Sequence, residues 1–311
     1  MYDRCDQDVV AAARRGARLA VVCFVAAATL LAAGCATVPV TEPPPAHAYV
    51  PDGYGAYFAI EVSANRDLFL SIAEQLSADV DLIVNRTDTI SGGLNLFPGE
   101  SPDVSIVALG EFPRGAVRFG LWRDRSFDRQ TVSINGEKQL YFAQSEGNLQ
   151  IAVPESGRIY VATGGIATML APREAALSPI VLSVLETVGS EEGPDAAIIV
   201  PDPGSAILGQ MGVEARGLPV QSVTLAIRAA PEGTALVLSG SIEMRSEAEA
   251  ALLARLGRLF LLAFMRGLGL DVQTAIESVE VAAEETAMVF DSIPISEAEL
   301  VALIGRMAGS E

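Results

Sequence analysis

What limits the fold of this chain most is how much of it is expected to be removed as a signal. Arg14, Arg15 and Arg18 precede an apolar run over residues 19–33, and Gly34-Cys35 closes it. A secretory signal needs a cationic start, an apolar stretch of about 7–15 residues and small residues at the cut. The run is shorter than the roughly 20 residues that span a bilayer, and Pro39 and Pro43 to Pro45 follow it. On this reading residues 1–34 are lost and 277 of the 311 residues remain. The other reading is an uncleaved N-terminal anchor with a chance cysteine. The three cysteines are Cys5, Cys23 and Cys35, so the body has no thiol pair for a disulfide.

Leu31-Ala32-Ala33-Gly34-Cys35 resembles the bacterial lipobox. That resemblance implies cleavage between Gly34 and Cys35, a diacylglyceryl group on Cys35 and attachment to the membrane through it. The box usually has leucine three residues before the cysteine; here Ala32 stands there, with Leu31 one step further out. Relaxed boxes of this kind occur among spirochaete lipoproteins, which the chain resembles. The resemblance further implies a cell-envelope protein facing the periplasm or the cell surface. Ala36 in place of aspartate points to the outer rather than the inner membrane.

Charge narrows the partners. The signal carries four arginines and three aspartates, so the −18 of the whole chain becomes −19 for the mature part. Such a body does not bind nucleic acid, and its net charge is repelled by anionic headgroups, leaving the lipid to hold it. The body after residue 53 contains neither cysteine nor histidine, which excludes Cys/His zinc sites, Ser-His-Asp and Cys-His chemistry. His47 lies in a proline-rich stretch, residues 35–53, expected to be an extended tether. Catalysis would need carboxylates, an oxygen-ligated metal, or a serine with Lys138. None has a local signature, so no catalytic residue, metal or cofactor is assigned.

The body divides into two expected halves, residues 54–190 and 191–311. In the first, strands are expected at 56–62, 104–109, 131–134, 139–143, 149–153 and 158–162. Asn135-Gly136 is a strong hairpin signal between the third and fourth of these. Residues 81–85 and 89–96 are ambiguous. Helices are expected after Asn65, over 113–123, at 166–170 and at 179–188. In the second half, strands are expected at 196–200, 220–228, 235–244, 278–282 and 286–290, with a short helix at 204–211. Ser246–Glu249 and Ser296–Glu299 are capping boxes that open two helices. Helices that do not alternate singly with strands indicate an α+β fold: antiparallel sheets with helices packed on one face. Two ferredoxin-like units in tandem is the expected topology. This order, with residues 107–117, 161–170 and 242–252, resembles two-part α+β bacterial envelope proteins to which no activity is assigned.

Three segments carry candidate contacts. Arg114, Arg118 and Arg123, with the only tryptophan, Trp122, form a basic patch that could meet an anionic group or a partner; the plain alternative is a solvated face paired with Asp124 and Asp128. In the helix after Ser246, Leu252, Leu253, Leu256, Leu259, Phe260 and Ala263 read as the buried face, with Arg255, Arg258 and Arg266 outside. A membrane-dipping helix is the other reading. Gly164-Gly165 reads as a turn. Three functions stay open: a binding or assembly module with an envelope partner or a second copy, a carrier of an apolar ligand, and a carboxylate-dependent hydrolase.

Overall fold

The alternating residues that open the body become the central strand of one large sheet. The computed structural model describes residues 44–75, 84–95, 103–171, 177–203, 219–230, 236–267, 279–296 and 298–300. In chain order the elements of the first half are β1 (Ala56–Glu61), α1 (Arg66–Gln75), β2 (Thr87–Asn95), β3 (Asp103–Gly110), α2 (Arg114–Arg123), β4 (Phe127–Ile134), β5 (Glu137–Gln144), β6 (Gln150–Ala152), β7 (Arg158–Ala162), α3 (Ile166–Leu170) and α4 (Pro179–Leu185). The second half adds β8 (Ala196–Val200), β9 (Val220–Ala229), β10 (Leu236–Met244), α5 (Glu247–Gly267), β11 (Glu280–Glu284) and β12 (Ala287–Ile295). The helix expected at 204–211 and most of the last helix lie outside the described residues.

Twelve strands form a single sheet in the order β11-β12-β10-β9-β8-β1-β2-β3-β7-β6-β5-β4. Every pairing is antiparallel. The fold is α+β, as expected. The ferredoxin-like topology is not what forms. A split β-α-β unit interleaves its strands, whereas here β1-β2-β3 and β8-β9-β10 are each runs of sequential neighbours. The two halves nevertheless share one plan. In each, the strand that ends the half, β7 or β12, returns to pair with the third strand of the run, giving β1-β2-β3-β7-β6 and β8-β9-β10-β12-β11. The halves meet at β1 and β8, where Phe58 lies opposite Ile198. The β4–β5 hairpin is the addition peculiar to the first half. Its turn is Asn135-Gly136, both at positive φ (51° and 84°), as a two-residue hairpin turn requires.

Register assigns the faces. Phe58 and Ile60 of β1, Ile106 and Ala108 of β3 and Ile151 of β6 pack with Val117 and Leu121 of α2. Ile198 links Phe58 to Leu225 of β9, and Leu225 belongs to the core under α5, with Met288, Phe290 and Leu261. Helix α1 bridges the two cores, Phe69 joining the first and Leu68 the second. Thus α1, α2 and α5 share one face of the sheet. On the other face of the first half, Tyr57, Val107 and Tyr160 pack under α3, α4 and a 3-10 turn at Ala46–Tyr49. Helices therefore cover both faces there, not one. The reason is visible in β3, where residues of both parities, Val107, Ala108 and Leu109, are buried. A strand apolar on both sides must be covered on both.

The expected tether is also shorter than residues 35–53. Ala46, His47 and Val50 are buried against the body. Arg158 pins the turn: its Cζ stands 3.6 Å from the Tyr49 ring centroid, Nη1 donates to the Tyr160 hydroxyl at 2.9 Å, and Nη2 pairs with Glu155.

Candidate functional site

Helix α5 begins at its capping box. The Glu249 N–H donates to Ser246 Oγ at 3.4 Å, and Ser246 Oγ donates back to Glu249 Oε2 at 2.9 Å. The face it buries is not the expected one. Ala250 and Leu261 are buried, Leu253 and Ala254 pack beside them, and Gly257 is buried against β11 and β12. Leu252, Leu256 and Leu259 are 60%, 55% and 69% exposed. Spaced i, i+4 and i+7, they form one row on the side of the helix away from the sheet. The helix carries two apolar rows, one small and one large. The small one allows the closer approach to the sheet, so the leucines are left outside, next to exposed Arg255.

Helix α2 presents a second exposed apolar group on the same sheet face. Val117, Gly120 and Leu121 are buried, so the opposite side carries Phe119 and Trp122, 53% and 62% exposed. Their ring centroids are 5.9 Å apart, and the Arg123 guanidinium stands 5.7 Å over the Phe119 ring. Arg114 and Arg118 flank the other side. The Arg114 N–H donates to Ser156 Oγ at 3.4 Å, and Arg118 Nε donates to the Val153 carbonyl at 3.0 Å. Burial lowers the Arg118 pKa, and the charges of Arg114 and Arg129 lower it further. The expected pairing with Asp124 and Asp128 does not form. Asp124 accepts from the Ser126 N–H and hydroxyl. Asp128 accepts from Ser145. Arg114, Arg118, Trp122 and Arg123 all lie on α2, and Phe119, which the sequence did not single out, stands beside Trp122 and Arg123.

Gly165 has φ 67° at the start of α3, and the Ile166 N–H donates to Gln150 Oε1 at 3.0 Å, so Gly164-Gly165 is a turn. Glu285, at φ 51°, sits in the β11–β12 hairpin. Lys138 is exposed at the start of β5, opposite Ser133. A cleft of about 830 Å³ between the Ala46–Tyr49 turn, β2, β3 and α4 is lined by His47, Asp88, Glu111, Glu155, Arg158 and Glu186 among others. Among the described residues no three His, Cys, Asp or Glu side chains are grouped to hold a metal, and no helix is long and apolar enough to cross a membrane. Gly34 and Cys35 lie outside the described residues.

These features define a class: a single antiparallel α+β sheet of two like halves, with exposed apolar rows on two helices of one face. No family model matches the chain, and no curated protein matches it in sequence. Its fold is similar to that of TP0453, an envelope protein of the spirochaete Treponema pallidum. One crystal form matches with a TM-score of 0.56 at 15% identity, over 86% of this chain and 100% of that one. A second gives 0.54 at 15%, over 86% and 98%. A third gives 0.54 at 16%, over 84% and 96%. At this identity the likeness is one of fold.

Proposed function

We propose that this is a non-catalytic, lipid-anchored envelope protein that lies against its membrane through the outer row of α5. The carrying observation is the exposure of Leu252, Leu256 and Leu259 in one row. Exposed large apolar groups in line mark a contact surface, and an amphipathic helix with cations beside its apolar side suits a bilayer boundary. A diacyl anchor on Cys35 keeps that surface beside the lipid at all times. The envelope context of the fold's neighbours agrees with this reading.

Two measurements test it. Labelled palmitate is incorporated by the full-length chain and not by C35S. A nitroxide on L256C, the sole free thiol of the lipidated protein, becomes accessible to oxygen and shielded from a water-soluble nickel chelate in vesicles. Equal access to both reagents, as at a label on S190C, overturns the docking. Shielding from both indicates a protein partner or a second copy instead.

A further inference from the structure

We propose that Arg114, Arg118 and Arg129 form a phosphate-binding site at the corner of α2 and β4, and that it takes the phosphate of an anionic lipid headgroup. The naming of a lipid as the source rests on the membrane-facing reading of α5; the phosphate chemistry does not.

Geometry brings the three side chains to one side. Arg114 and Arg118 are one turn apart on α2. Arg129 pairs in register with Phe142, which is buried in the core beneath α2, and so is Phe127, two residues before Arg129. Arg129 therefore projects on the α2 side of the hairpin. Asp128, its chain neighbour, pairs with Ala143 and points to the opposite side.

The charges at this corner are uncompensated. The full chain holds 39 aspartates and glutamates. Yet among the described residues no carboxylate lies within 4.0 Å of Arg114, Arg118 or Arg129, whereas Arg66 pairs with Asp88 and Arg158 with Glu155. Arg118 is half-buried and held by its Nε on the Val153 carbonyl, which fixes the direction of the guanidinium and leaves its two terminal nitrogens for a ligand. Like charges gathered on a half-desolvated group oppose folding, and a bound anion removes that opposition. Net charge does not forbid this, because exposed charges beyond about 10 Å are screened at ordinary ionic strength.

The ligand chemistry follows from the donors. Guanidinium forks match the oxygens of phosphate two at a time. Three of them surround a tetrahedral phosphate, whose oxygens accept from several directions, better than a planar carboxylate. The neighbours specify the setting. Trp122 lies one turn beyond Arg118 and, with Phe119, is exposed. Tryptophan beside arginine is the composition of a headgroup boundary.

Trp122 is the sole tryptophan and reports directly on the site. In the first arm, detergent-solubilised full-length protein is titrated with inorganic pyrophosphate against chloride of equal ionic strength. Saturable binding is expected, weakened about tenfold in R118Q and in R129Q. R129Q alters an exposed strand residue, so it remains folded and readable if R118Q does not. In the second arm, the lipidated protein is placed in phosphatidylcholine vesicles with brominated acyl chains, with and without phosphatidylglycerol. Quenching of Trp122 is expected with phosphatidylglycerol, and its loss in R129Q. No pyrophosphate binding and no dependence on phosphatidylglycerol overturns the site, as does binding that R118Q and R129Q leave unchanged. Pyrophosphate binding without a phosphatidylglycerol response overturns the headgroup as its source. If the L256C label stays in water while Trp122 responds, the α5 reading fails alone; the reverse result sinks the site alone.

Discussion

Gly257 of α5 sits on Met288 of β12 so closely that a Cβ at position 257 would lie 2.7 Å from Sδ of Met288 and 2.9 Å from Cγ1 of Val281. This contact sets the rotation of the helix and leaves the leucines outside. Gly257→Val is expected to destabilise the fold by about 1–3 kcal/mol, the usual cost of overpacking. A lowered urea midpoint with an unchanged slope is the readout; an unchanged midpoint would mean that α5 does not rest on Met288.

The leucine row should be silent in folding. Leu252→Ser, Leu256→Ser and Leu259→Ser are each expected to change stability by no more than about 0.5 kcal/mol, as exposed positions do. Leu261→Ala, at a buried site on the same helix, is expected to cost about 2–5 kcal/mol. Thermal denaturation of the four variants separates the two rows. Losses of several kcal/mol at Leu256 would place that row in the core.

Arg158 holds the start of the body in place. Arg158→Ala is expected to cost about 1–2 kcal/mol, since it removes a desolvated contact with the Tyr49 ring together with the Tyr160 and Glu155 partners. The loss should be local. The Val50 N–H, which donates to the His47 carbonyl at 3.1 Å, is expected to exchange with deuterium faster while amides of β10 keep their protection.

Tyr57 predicts an alkaline limit. Burial is the main cause that pushes its hydroxyl up to about 12. The folded state then holds its proton above the ordinary value of 10.0, at which the unfolded chain releases it. The contribution to stability is complete below pH 10 and is lost as pH rises toward 12. Melting temperature is therefore expected to fall in that window. Tyr57→Phe should flatten the fall, at an expense of about 1–3 kcal/mol at neutral pH from the Tyr54 N–H and Asp52 left without it. An equally steep fall in the variant would assign the transition to Tyr49, Tyr54 or Tyr160, whose values are also raised by burial.

Local chemistry was legible wherever its cause is local. Asn135-Gly136 turns because those residues accept positive φ, and Ser296 caps as expected: its N–H donates to Glu299 Oε2 at 2.9 Å and the Glu299 N–H to its Oγ at 3.2 Å. The strands at β1, β3, β7, β8, β9 and β10 follow from runs of apolar and β-branched residues. The two-sided burial of β3 had a signal too, since residues 104–109 do not alternate. Of the ambiguous 89–96, residues 89–95 lie in β2, where Ser91, Gly92 and Gly93 weaken any pattern.

The sequence by itself determined the α+β class, the antiparallel hairpins and the acidic composition. Each depends on neighbours a few residues apart. Only the tertiary structure decided that the halves share one sheet, which side of α5 is buried, and that Arg129 faces α2 while Asp128 faces away. Those outcomes depend on register and close approach between distant segments. Hydropathy cannot rank two apolar rows on one helix; the fit of Gly257 against Met288 can.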